Sequence, residues 1–223
     1  MVTPLADGLW RWTARHPDWH PGEFGREVAS FALRTDDGPV LVDPLLPAEP
    51  GAVLDHLDAL VEDRVVILIT IPYHVRSAEP LWRRWRDRAE VTIWGHPAAA
   101  KRLENAAAFR TIEPGAPLPG SAQAYSIGRP RRFEMPLYLP SHRGLAFGDA
   151  VVETGGELRV WAHGRFDERR LRFYRDRFNP TLAPLLELDA ERVLVTHGEP
   201  VLSDGAVELR RALERPPWIL RSS

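Results

Sequence analysis

Polar residues that end apolar runs are the first candidates for chemistry, because a strand end meeting a loop presents its side chain at the edge of a rigid sheet. Asp43 ends Val40-Leu41-Val42-Asp43, and Asp149 ends Leu145-Ala146-Phe147-Gly148-Asp149. His197 follows Val193-Leu194-Val195-Thr196, and His74 lies four residues past Thr70, the end of another apolar run. Gly148 and Gly198 stand beside two of these residues, where a missing Cβ lets backbone approach closely. Arg76 and Ser77 offer a different chemistry. A guanidinium beside the N-terminus of a helix opened by Ser77 is a competent carboxylate or phosphate site, and Tyr73 would add a phenolic donor. Ser77 reads first as a plain N-cap, and Arg76 reads equally well as paired to Glu79 or Asp149.

Composition removes whole classes of chemistry. There is no cysteine, so thiolate nucleophiles, disulfides, Cys-ligated zinc and iron–sulfur clusters are excluded, and any metal must be held by His and carboxylates. The 29 basic and 31 acidic residues leave a net charge of −2, without the basic excess expected of a protein that neutralises phosphates. No nucleic-acid partner is therefore expected. The Arg-rich segment 168–177 reads as a solvated helix face with Leu171 and Tyr174 inward. No apolar run approaches the ~18 residues of a membrane span, and the first residues lack the pattern of a signal peptide. A cytoplasmic protein with no membrane partner is expected.

The elements that must position these residues follow from periodicity. Alternation at 9–13 and 28–34 predicts half-buried strands. Asp36-Asp37-Gly38 is a hairpin turn leading to a strand at 39–44. Val65-Val66-Ile67-Leu68-Ile69-Thr70 reads as a strand buried on both faces. Further strands are expected at 91–94, 133–139, 145–147, 158–161 and 192–196. Helices are expected at 49–62, 78–88, 96–104, 168–177, 181–188 and 205–213. Pro and Gly obscure 109–128, and the loop 15–25 is too rich in both for a regular element. The order predicts one domain over 1–223, two sheets sandwiched between helices.

Leu5-Ala6-Asp7-Gly8-Leu9-Trp10, the strand ends at Asp43 and Thr70, Tyr138-Leu139-Pro140 with Phe147-Gly148-Asp149, and Thr196-His197-Gly198 occur in the order of a known family. The chain resembles the metallo-β-lactamase superfamily, which implies an αββα sandwich of two mixed sheets with helices on both outer faces. The family's loop after the Thr carries H-x-H-x-D-H. Here those positions hold Ile71, Tyr73, Val75 and Arg76. Counting back from the next helix, anchored by Leu81 and Trp85, places His74 on the last ligand instead. Asp149 matches the family's bridging Asp, and His197 its final His. The middle His is replaced by Glu134 or Met135, and His142 falls in a hairpin turn.

The resemblance therefore implies no two-zinc centre. It leaves at most one ion, held by His74, Asp149 and His197 with Glu134 nearby, or no ion at all. Two His and a carboxylate suit zinc first, and iron or manganese as alternatives. Such an ion lowers the pKa of its water toward ~7 and polarises a carbonyl. A hydrolase of esters, lactones or amides with Asp149 or Glu134 as general base is one implied function. The other is a metal-free protein or pseudoenzyme in which Tyr73 and Arg76 grip a small anionic molecule. Arg76, unable to lose its proton, is expected within salt-bridge range of Asp149 or Glu134 and is expected to weaken zinc binding. In the resembled family the hairpin around 15–25 is a flap, which makes Trp19 an apolar lid residue with His16 and His20 as solvated neighbours. His56, His96 and His163 are given no role.

Overall fold

The structure is a computed structural model that describes residues 1–19, 24–162 and 167–219. His20 and His163 lie outside the described residues. The first half builds β1 (Thr3–Ala6), β2 (Leu9–Arg15), β3 (Glu27–Thr35), β4 (Gly38–Val42), α1 (Gly51–Leu60), β5 (Arg64–Leu68), α2 (Ala78–Trp85), β6 (Glu90–Gly95), α3 (Pro97–Ala100) and β7 (Phe109–Thr111). Among the described residues its seven strands form one sheet in chain order. Pairing is antiparallel from β1 to β4 and parallel from β4 to β7. The switch follows from the connections. Hairpins join antiparallel strands, whereas parallel neighbours need a crossover, supplied here by connections that carry α1, α2 and α3.

The second half builds β8 (Gln123–Ala124), β9 (Leu137–Leu139), β10 (Gly144–Phe147), β11 (Val151–Thr154), β12 (Glu157–Ala162), α4 (Glu168–Phe173), α5 (Asn179–Leu182), β13 (Arg192–Val195), α6 (Gly205–Glu214) and β14 (Trp218–Ile219). The expected second sheet takes the form of two ladders, β13-β10-β9-β8 and β11-β12-β14. A bond from Glu153 N to His197 O (2.9 Å) joins their margins.

Side-chain alternation sets the layers. Val66 and Leu68 face a core shared with Leu137, Ala146 and Leu194 of the second layer. Ile67, between them, packs with Leu57, Leu81 and Trp85 of α1 and α2. Leu145, Phe147, Val193 and Val195 point the other way, onto Phe178, Leu182 and Leu209. The layering is helix, sheet, sheet, helix, as the element order predicts. Among the described residues no helix is long and apolar enough to cross a membrane.

Several bounds differ from expectation. The strand expected at 133–139 starts at Leu137, because Arg131 and Glu134 are both buried. Residues three apart on a strand would face opposite sides. Two successive turns, Arg131 N to Gly128 O and Glu134 N to Arg131 O, bring both inward. The helix expected at 96–104 is a single turn. The Arg-rich helix passes at Tyr174 into a π-helical turn, Tyr174–Phe178, that buries both ends of that turn.

Candidate functional site

Parallel pairing of β4 with β5, in register Val42 to Leu68, opens both C-terminal ends at one place. Asp43 follows directly and is almost wholly buried. Its Oδ1 accepts the Thr70 N–H at 2.8 Å, and its Oδ2 accepts the Thr70 hydroxyl. The same Oδ2 lies 2.8 Å from Nδ1 of His74. A 3₁₀ turn, Pro72–Val75, folds His74 back into this contact, leaving the ring only 4% exposed. With Nδ1 held against Asp43, Nε2 is the ring nitrogen left to face Asp149.

Parallel β10 and β13 pair Phe147 with Val195, so Asp149 and His197 emerge at a common end. Gly148 is required there, since a Cβ would stand 2.7 Å from the Thr70 hydroxyl. The Oδ1 of Asp149 lies 3.6 Å from His74 Nε2 and 3.5 Å from His197 Nε2. Sequence reasoning placed these three residues in one site, and the structure brings them around one oxygen.

Glu134 is completely buried. Its Oε1 accepts the backbone N–H groups of Gly148, Asp149 and Ala150 at 3.0, 3.1 and 3.0 Å, fixing the turn that carries Asp149. Arg131, three residues earlier, is the site residue that the sequence did not single out. Its Nη1 lies 3.5 Å from Asp149 Oδ2 and 3.7 Å from Glu134 Oε2. Its guanidinium covers the Trp161 ring at 5.1 Å. The available signal was opposite charge at positions 131 and 134, within two consecutive turns.

Arg76 departs from expectation. Among the described residues it makes no ion pair with Asp149 or Glu134, and Arg131 holds that place. Its Nη1 donates instead to the backbone carbonyl oxygens of Asp43 at 3.1 Å and Ala29 at 3.5 Å. Its Nε and Nη2 are buried without a hydrogen-bond partner. The position explains the difference. Arg76 has φ 37°, a left-handed conformation rare for a side-chain-bearing residue, and lies against the β3 and β4 ends. Glu79 is likewise engaged elsewhere, accepting Arg83 and the N–H groups of Glu104 and Asn105. Ser77 occupies the N-cap position of α2 without a capping bond, its hydroxyl accepting Leu46 N–H at 2.9 Å.

Tyr73 stands at the mouth, half exposed, its ring 5.9 Å from that of His74. Trp19 donates to the Phe24 carbonyl oxygen at 2.7 Å and lies beneath the Arg15 guanidinium. From this hairpin it is Phe24 that packs on His197, with ring centroids 4.8 Å apart. His16 accepts the Asp18 N–H, His56 packs on Trp10, and His96 caps α3 through the Ala98 N–H. His142 is buried beside Ser141, outside the cluster.

Charge sharpens the arrangement. Burial pushes the pKa of His74 below the ordinary imidazole range, and Arg76 adds to this against the opposing pull of Asp43. Burial disfavours ionised Asp149, yet the His197 contact and the charges of His74 and Arg131 hold its carboxyl far below the usual range. Burial raises Glu134 to about 7, with Arg131 opposing and Asp149 assisting. The pair separates into a fixed anion and a group that titrates near neutrality.

No protein-family model matches the sequence, and no curated protein matches it. Solved structures do. A metallo-β-lactamase from Erythrobacter litoralis superposes with a TM-score of 0.61 at 15% identity, covering 96% of this chain and 94% of that one. The DIM-1 metallo-β-lactamase gives 0.65 at 13%, covering 96% and 94%. TTHA1623, solved in a di-iron-bound form, gives 0.58 at 20%, covering 92% and 98%. This chain has the metallo-β-lactamase fold.

On the metallo-β-lactamase fold a resident metal is the natural thing to test. The donor types at His74, Asp149 and His197 would suit zinc. Their arrangement does not fit one. Among the described residues no three His, Asp or Glu side chains are grouped so as to hold an ion. The second oxygen of Asp149 faces a guanidinium that supplies the compensating charge. Asp149 Oδ1, Glu134 Oε2 and His197 Nδ1 are nevertheless buried without an ordinary hydrogen bond. Together with the Arg76 nitrogens they concentrate unmet polar groups around Asp43 and Asp149. Native proteins carry few such groups, and each calls for a water, an ion or a ligand.

Proposed function

We propose that this metallo-β-lactamase-fold protein binds a small anionic molecule in the cleft without a metal ion, acting in the cytoplasm as a hydrolase relative that has lost its metal chemistry. The observation that carries this is the Arg131 guanidinium, 3.5 Å from Asp149 and 3.7 Å from Glu134. It neutralises the acids that would otherwise call for a cation, and would repel an incoming dication by several kcal/mol at ~4 Å and intermediate dielectric. Arg76 supplies the grip, since Nε and Nη2 are buried donors awaiting an acceptor, and guanidinium–carboxylate or guanidinium–phosphate bonds are the strong, charge-assisted kind. Tyr73 borders the opening, and Trp19 belongs to the hairpin beside it.

A hydrolase of esters, lactones or amides using one ion at His74, Asp149 and His197 is the competing function, with Asp149 or Glu134 as its base. The Asp43–His74 contact favours it, because a carboxylate holding the second ring nitrogen is the usual partner of a metal-ligating histidine. That function requires Arg131 to leave Asp149. Calorimetry on chelator-treated protein decides between them. Titration with benzoate and with inorganic phosphate is expected to give saturable binding of at least one anion, lost in Arg76→Ala. Binding or ester hydrolysis seen only after one equivalent of zinc overturns the proposal.

A further inference from the structure

A second surface lies outside the buried cluster, built around the single turn of α3. His96 caps this turn through the Ala98 N–H and packs on the Phe133 ring at 4.9 Å. Arg132 lies over the same ring at 4.6 Å. Past the other end of the turn, Arg102 lies over the Tyr73 ring at 5.5 Å. The turn itself packs on the 3₁₀ turn that carries Tyr73. Tyr73 is 50% and Phe133 44% exposed, two of the few large apolar side chains left open among the described residues. Scattered singly such rings need no explanation, but these two share one neighbourhood with two guanidinium groups.

The net charge of −2 conceals a local excess here. Arg102 and Arg132 are exposed, as are Lys101 and Arg129 near them in the chain, and none of the four makes an ion pair among the described residues. The acids closest to Arg102 in this region are already engaged, since Arg83 holds both Glu104 and Glu79. A guanidinium held over a ring is attracted by the ring face and loses much of its freedom. Its edge of N–H donors stays available, and that planar fork matches a carboxylate in two parallel bonds. The same contacts cover one face of each ring. The rings therefore offer their edges to apolar side chains, not open faces on which successive nucleobases would stack.

We infer that this surface docks an acidic, extended segment of a partner protein, whose carboxylates pair with Arg102 and Arg132 while an apolar side chain rests against Tyr73 and Phe133. Tyrosine and arginine anchors of this kind carry much of the binding at protein interfaces. The surface uses neither Arg76 nor Arg131, so it stands independently of the anion-binding function proposed above. Tyr73 belongs to both places, and a docked segment would lie beside the opening of the cleft.

The test is fluorescence anisotropy on the full chain with the labelled octapeptide Glu-Asp-Phe-Glu-Asp-Leu-Glu-Asp and its amide counterpart, in which Gln and Asn replace Glu and Asp. An extended octapeptide spans ~27 Å, enough to pass both ends of a helical turn of ~6 Å. Saturable binding of the acidic peptide alone is expected, weakening as salt rises. Arg102→Gln and Arg132→Gln should each weaken it about fivefold. Arg210→Gln, the same charge change at an exposed position of α6, should leave it unchanged. Arg132→Lys keeps the charge without the fork and should not restore full affinity. These positions are all exposed, so unchanged Tm values are expected to accompany the losses. Absence of peptide binding overturns the proposal, as does an equal loss in Arg210→Gln. Tighter binding of oligothymidylate or of phosphatidylserine vesicles than of the peptide also overturns it, in favour of a nucleic acid or a membrane.

Discussion

Arg131 and Asp149 lie 3.5 Å apart, guanidinium to carboxylate, with Asp149 Oδ1 turned to two imidazoles and Oδ2 to the arginine. A side chain of this protein thus supplies the charge that a cation would bring. Removing it should unmask the donors. Arg131→Met is expected to destabilise the fold by about 3–5 kcal/mol, since it leaves buried acids unpaired. It is also expected to bind zinc at least tenfold more tightly than wild type, read by calorimetry and by a zinc-dependent rise in Tm. Equally tight zinc binding in both proteins returns the chain to the metal-dependent hydrolases.

Glu134 makes stability depend on pH in a definite direction. Its folded pKa is about 7 against an ordinary value of 4.5. Between these values the folded state holds a proton that the unfolded state has released, so stability falls as pH rises from about 4.5 to 7. The span corresponds to roughly 3 kcal/mol. Glu134→Gln keeps an oxygen for the three backbone N–H groups and has no proton to lose. Denaturant titrations at pH 5 and pH 8 should show the drop in wild type and its absence in the variant. Identical pH profiles would refute the assignment.

Much of the scaffold was legible because burial leaves a period. The run from Val65 predicts a strand covered on both faces, and Val66, Ile67 and Leu68 divide between two cores. Asp149 and His197 were legible because each ends such a run. Arg131 was not, because nothing local separates it from its neighbours Arg129 and Arg132. Arg129 and Arg132 are exposed, and only the distant Trp161 and Asp149 make position 131 different. Strands as short as β7 and β8 were hidden for a related reason. They exist through pairing with neighbours, and Pro and Gly around them erase any local period.

Asp43 is the hub that orients His74, and its replacement should cost more than one hydrogen bond. The carboxylate accepts from Thr70 N–H, Thr70 hydroxyl and His74. Asp43→Asn places an amide N–H against at least one of these donors, and leaving a buried donor unmet costs about 1–3 kcal/mol. A loss of about 2–4 kcal/mol in urea titrations is expected. The backbone should accept the change, because Asn tolerates the φ of 48° found here. A variant as stable as wild type would mean that the His74 contact is incidental.

Arg76 separates strain from binding. At φ 37° its backbone lies where side-chain-bearing residues are rare, a conformation costing about 1–3 kcal/mol that persists only where the surroundings impose it. Glycine adopts that conformation freely. Arg76→Gly should therefore be more stable than Arg76→Ala by about 1 kcal/mol or more, after allowance for the freedom glycine gains when unfolded. Both variants lose the guanidinium, so both should lose anion affinity by at least tenfold, whichever is the more stable. Burial depresses the pKa of this arginine, with Asp43 and Asp149 opposing, but a guanidinium remains charged at any ordinary pH, so its contribution should not fade between pH 6 and 9. Titrations of benzoate into the two variants, beside their urea unfolding curves, provide both readings. If affinity follows stability instead of the guanidinium, Arg76 is only a brace for the β3 and β4 ends, and the unmet Nε and Nη2 donors are served by water.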